Sequence, residues 1–111
     1  MSARLATELA VKAVVRQAGA LGGVATVLHR GDGQAGGLLI IGLTRGRTEQ
    51  LLERVLDATG AYRWTRVGPD AGDDEALAAY VARRRQRDPD LWVIELDIAD
   101  QHRFVAALLP D

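Results

Sequence analysis

The chain has 111 residues, no cysteine and a formal net charge of −1. The length fits one domain over residues 1–111, with a core that removes about two-thirds of the unfolded surface from water. Without thiols there is no disulfide scaffold, cysteine–zinc centre or thiol catalysis, and the balanced charge offers no general attraction to nucleic acid or an anionic membrane.

Hydrophobic residues make up 48% and charged residues 26%, a soluble globular composition that fits a cytoplasmic protein. Thirteen arginines stand against a single lysine, Lys12, beside 18 alanines. GC-rich coding accounts for both excesses, whereas anion recognition would account for the arginines alone. The longest apolar run, Gly36 to Leu43, is far short of the about 20 residues a membrane helix needs. Glu8, Lys12 and Arg16 interrupt the N-terminal segment where a signal peptide would be apolar.

Residues 3–18 are predicted as a helix with Ser2 as its N-cap. Glu8, Lys12 and Arg16 form one solvated stripe, and Val11, Val14, Val15 and Ala18 another, apolar one. Leu5 and Leu9 widen the apolar arc, so the helix is expected to bury two sides. One side meets its own sheet; the other meets the far side of the core or a partner chain. Gly19, Gly22 and Gly23 end this helix, and Val24–His29 reads as a strand. Residues 30–37 form a loop. Leu38–Thr44 is apolar almost throughout, which suits a central strand covered on both faces.

Arg45-Gly46-Arg47 is a short turn. Residues 48–56 carry helical spacing but are flanked by short connectors, so a hairpin with Tyr62–Val67 is preferred to a helix. Asp73 is expected to cap a helix over 74–87, with Asp74 and Glu75 at its positive end and Asp88 before Pro89 at its stop. In the last strand Trp92, Ile94, Leu96 and Ile98 share a core face, while Val93, Glu95 and Asp97 share a partly wet one. Phe104 to Leu109 is an apolar tail expected to dock on the body.

Gly31, Gly33 and Gly36 spell G-x-G-x-x-G, but a strand follows where a dinucleotide fingerprint needs a helix. The pattern therefore reads as a hairpin loop. Ser2 is the only serine, so a serine nucleophile is excluded. His29 and His102, the two histidines, carry no partner signature. The carboxylates Asp88, Asp90, Glu95, Asp97 and Asp100 match no metal-binding loop, and no metal is expected. Tyr62, Trp64, Tyr80 and Trp92 could stack bases, but alternating strand aromatics fill cores more simply.

Arg83, Arg84, Arg85 and Arg87 crowd the end of the second helix and complement its negative pole. Arg84 differs from the rest. It falls within the apolar stripe of Leu77, Tyr80 and Val81, so it points inward and needs a carboxylate. Asp88, Asp90, Glu95 and Asp97 are the candidates for a structural pair; an anion site with Arg30 is the alternative.

Two motifs resemble a known family. Arg30-Gly31-Asp32, with Ala35-Gly36 and a hydrophobic strand, is the first. Tyr80, the arginine run and Asp88-Pro89-Asp90-Leu91-Trp92-Val93-Ile94-Glu95 form the second and more specific one. Together they resemble the mainly alphaproteobacterial family catalogued as domain of unknown function 1491, over most of the chain. The resemblance implies a bacterial cytoplasmic protein of about this length and brings no activity, cofactor or site. A functional surface shared by the family would be sought at Arg30, Asp32, Arg84, Asp88, Asp90, Trp92 and Glu95. The same residues serve equally well as a fold signature.

The expected fold is α+β: an antiparallel sheet of about five strands with a long N-terminal helix and a second helix packed on one face. The expected function is a non-enzymatic interaction or regulatory module, homodimeric through the N-terminal helix, with no cofactor and no membrane span. The alternative is a small-anion or nucleotide binder, possible as an enzyme, that uses Arg84, Arg30 and the 30–37 loop. Nucleic-acid binding through Arg83, Arg85 and Arg87 is disfavoured and would weaken steeply with salt.

Overall fold

A computed structural model describes residues 6–34, 36–70, 72–100 and 104. Its elements in chain order are α1 (Thr7–Ala20), β1 (Val24–His29), β2 (Leu38–Thr44), β3 (Arg47–Leu56), β4 (Tyr62–Val67), α2 (Asp74–Arg87) and β5 (Trp92–Asp97). Residues 48–56 are therefore strand, as the flanking turns implied.

The first helix starts later than its sequence suggested. Ala6 is extended, with φ −56° and ψ 146°, and makes no side-chain cap; Ser2 lies outside the described residues. The loop between β1 and β2 supplies the cap instead. Thr7 and Glu8 donate their amides to the Gln34 and Gly33 carbonyls at 3.3 and 2.9 Å, which satisfies two of the unpaired donors of the first turn. Thr7 is buried, and its hydroxyl donates to the Gly36 carbonyl at 2.6 Å. At the far end, the Gly22 and Gly23 amides donate to Gly19 and Ala18 in a Schellman arrangement.

The strand order is β1-β5-β2-β3-β4. β5 pairs antiparallel with β1 but parallel with β2. The sheet is thus mixed rather than wholly antiparallel. Helix α2 returns the chain across the sheet after β4, so β5 runs in the direction of β2 and inserts between β1 and β2. The turn joining β2 to β3 places Arg45 and Gly46 at φ 53° and 79°, and the Asp97 carboxylate at the end of β5 accepts both of their amides, at 3.2 and 3.0 Å.

The helices lie on opposite faces of the sheet rather than together on one. Ala10, Val11, Val14 and Ala18 of α1 pack on Leu38, Ile40, Leu52, Trp92, Ile94 and Leu96, joined by Ile98 and Phe104. Leu77 of α2, with Tyr80 and Val81, packs on Leu39, Leu51, Leu91 and Val93. β2 explains this arrangement: Leu38 and Ile40 point one way, Leu39 and Ile41 the other. A bare second face would forfeit about 1.5–3 kcal/mol for each of Leu39, Leu51 and Val93. Phe104 is fully buried, as expected of the apolar tail; residues 105–109 lie outside the described set.

Asp73 caps α2 by accepting the Ala76 amide at 2.9 Å, and Asp88, at φ −133°, ends it. Both ends match the sequence reading. No helix among the described residues is long and apolar enough to cross a membrane.

Candidate functional site

Five of the seven candidate residues meet where the β1–β2 loop crosses the start of β5. The Asp32 amide donates to the Asp90 carbonyl at 3.0 Å, and the Asp32 carbonyl accepts Trp92 Nε1–H at 2.8 Å. The Trp92 amide donates to Gly37, and His29 donates Nδ1–H to the Leu91 carbonyl at 2.8 Å. Asp88 accepts the Asp90 amide at 3.1 Å. The Arg30 guanidinium lies 5.1 Å from the Trp92 ring centroid and 3.7 Å from Glu8.

The glycines of the loop now have a mechanical reason. A Cβ on Gly31 or Gly36 would overlap the Asp90 carbonyl oxygen. The loop backbone presses directly on the β5 backbone, so Gly31 and Gly36 belong to strand packing. Trp92 is only 2% exposed, which removes it from any stacking surface. Tyr80 lies across the sheet from Trp64 and Trp92, so the aromatics form no common platform.

Arg84 and Glu95 lie on the other face. Arg84 donates to both carboxylate oxygens of Glu53 at 2.6 and 2.8 Å, and to the Tyr80 hydroxyl at 3.2 Å. An inward-pointing, ion-paired Arg84 was expected, but its partner is none of Asp88, Asp90, Glu95 or Asp97. Glu53 stands opposite Leu39 on β3, directly beneath the helix. These donations hold the Arg84 pKa above its ordinary value. The fork that would grip an anion is filled, and Arg30 sits on the α1 face, so the two arginines do not clamp one ligand. The clue to Glu53 was its alternation with Leu51, which marks it as an inward carboxylate once residues 48–56 are read as a strand.

Three concave regions remain, one of them a hollow of about 440 Å³ beside β1 lined by Val24, Thr26, Arg45, Glu95 and Asp97. A cavity of about 320 Å³ lies between α2 and the sheet, with Ile41, Leu51, Leu77, Val81, Arg85 and Glu95 among its lining. A groove between α1 and β1 is lined by Val11, Val15, Val27 and Trp92, with Glu8, Lys12, Arg16 and Arg30 along it. No group of three or more His, Asp or Glu side chains that could hold a metal occurs among the described residues. His102 lies outside them.

The pattern of a protein family described as "protein of unknown function (DUF1491)" matches residues 5–106. The chain belongs to the DUF1491 family. A crystal structure of a DUF1491 protein from Caulobacter crescentus is 30% identical, with a TM-score of 0.79, covering 91% of this chain and 94% of that one. A solution structure of a DUF1491 protein from the same organism is 32% identical with a TM-score of 0.77, covering 94% of each chain. Protein Atu0922 from A. tumefaciens is 27% identical with a TM-score of 0.78, covering 93% of each. No curated protein matches the chain. Both motifs that carried the DUF1491 resemblance fall largely on the crossing of the loop over β5.

Proposed function

We propose that this DUF1491 protein is a non-enzymatic interaction module: a single-domain cytoplasmic homodimer joined along β1, with α1 flanking the seam. The supporting observation is the contrast between the two edges of the sheet. β1 and β4 are the outer strands. β4 carries two exposed cations along its edge, Arg63, paired with Asp57, and Arg66, held by Gln50. β1 has no charged residue from Val24 to Leu28, and Val24, Val27 and Leu28 are 65%, 38% and 47% exposed. The pairing of β1 with β5 slips between Val27 and His29, and the regular apolar stretch before that slip, Val24 to Val27, is a template for another strand.

The helix beside it adds a match. Leu9 and Val15 of α1 are exposed large hydrophobics. Glu8, Lys12 and Arg16 run along the groove between α1 and β1. In a two-fold arrangement with antiparallel helices, Glu8 of one copy faces Arg16 of the other, and Lys12, midway between them, meets its own symmetry mate. A second copy therefore satisfies the strand edge and the apolar residues together, with two Glu8–Arg16 pairs flanking the Lys12 contact.

Light scattering on the eluting protein tests this directly. A dimer is expected at micromolar concentration, with Val27→Lys giving a folded monomer and Arg63→Ser leaving the dimer intact. A monomer at every accessible concentration would sink the proposal.

A further inference from the structure

Glu95 sits in the middle of β5, a strand paired on both sides, opposite Thr26 of β1 and Ile41 of β2. Its neighbours on that face have assigned roles. Val93 is in the second core, and Asp97 holds the β2–β3 turn. Glu95 is half-buried, and its carboxylate has no hydrogen bond or ion pair among the described residues. Toward β1 it shares a concavity with Thr26, Arg45 and Asp97; toward α2 it meets apolar side chains, where a carboxylate costs free energy unless a partner compensates it.

The space around it is shaped for such a partner. Helix α2 leans toward β3 and β4, where Arg84 reaches Glu53 and Tyr80 lies against Gly68. This leaves the 320 Å³ cavity over β2 and β5, bounded on one side by α2. Ile41, Leu51, Leu77 and Val81 give it apolar walls, and Glu95 is its one charged group on the sheet. Helix α2 contributes Asp74 from its first turn and Arg85 from its last, the latter without an ion pair to Glu95. An apolar concavity of this size with few convergent polar groups is the usual form of a small-molecule site.

We propose that this cavity binds a small alkylammonium compound. The ammonium group pairs with Glu95, and a branched body of four or five carbons lies against Ile41, Leu51, Leu77 and Val81. The ammonium chemistry has two sources: a simple amine, or an apolar amino acid whose carboxylate reaches Arg85. The site is separate from the β1 edge and stands or falls independently of dimerisation.

The test is a methyl-resolved NMR titration of the full chain with isoamylamine and with L-leucine. Saturable shifts at Ile41, Leu51, Leu77 and Val81 are expected with at least one of them. Glu95→Gln should weaken that binding by about tenfold or more. A preference for leucine that Arg85→Met removes identifies the amino acid; equal or better binding of the amine identifies the simple cation. The uncharged analogue 3-methylbutanol supplies a control that needs no variant. The proposal is overturned if neither compound shifts these methyls at about 10 mM, if the alcohol binds as well as the amine, or if a folded Glu95→Gln chain binds unchanged.

Discussion

Arg84 and Glu53 meet fork to fork across 31 positions of sequence, at 2.6 and 2.8 Å, and join α2 to β3. Their side chains are 22% and 18% exposed, so the pair is largely shielded from solvent. Bidentate geometry makes it stronger than an isolated surface pair. Arg84→Met leaves Glu53 under the helix without its cation and is expected to cost about 2 kcal/mol. For a domain of this size that lowers the melting midpoint by about 10 °C. Arg84→Lys keeps the charge and loses the fork, so it should fall between the two. The double variant with Glu53→Met should lose less than the two single costs added, because the orphaned carboxylate is gone. Thermal unfolding of the wild type, the three single variants and the double variant checks the order.

Glycine substitutions should separate sharply by position. Gly31→Ala and Gly36→Ala push a methyl into the Asp90 carbonyl and force the loop off β5. Each is expected to cost more than about 3 kcal/mol, beyond the usual range for a point change. Gly19→Ala is the contrast. It lies within α1, and its added Cβ meets nothing within 4 Å. That change should stabilise by about 0.5–1 kcal/mol, through helix propensity and a less flexible unfolded chain. Urea unfolding midpoints report both signs.

Asp57 gives a pH signature. Its carboxylate accepts from the Thr59 hydroxyl, the Arg63 guanidinium and the Thr59 and Ala61 amides. The Thr59 hydroxyl and Arg63 are the leading reasons its pKa lies well below the ordinary 3.8. A depressed carboxylate pKa adds stability above the unfolded value, and that stability is lost as pH falls through the folded one. The stability difference between wild type and Asp57→Ala should therefore be constant from neutral pH down to about 4 and shrink below it. A difference that grows on acidification would contradict the assignment.

The elements were legible because local chemistry sets them. Asp73 and Asp88-Pro89 bracket α2, and the flanking turns make residues 48–56 a strand. The opposite placement of the helices was also implicit, since a β2 that is apolar on both faces cannot be served by two helices on one. What was not legible depends on strand order. Nothing local tells β5 to enter between β1 and β2, so the loop's role as cap for α1 and clasp for β5 could not be foreseen. The alternation with Leu51 marks Glu53 as inward, but only the placement of α2 over β3 brings it, rather than a carboxylate near Arg84 in sequence, to the guanidinium. Of the seven candidate residues, five gather at a packing junction. The others, Arg84 and Glu95, sit on the far face, and the Glu95 carboxylate makes no hydrogen bond or ion pair among the described residues.

The insertion of β5 between β1 and β2 bears on how the chain is made. β1 and β2 follow one another in sequence yet are held apart by a strand that comes after every other. Until residues 92–97 have left the ribosome, the growing chain holds two β segments with an open slot between them, one of them the apolar Leu38–Thr44. Long-range pairing of this kind is slow and leaves sticky intermediates exposed. Truncations that stop before Trp92 should therefore fail as a whole and go to inclusion bodies or proteases, rather than yield a smaller folded fragment.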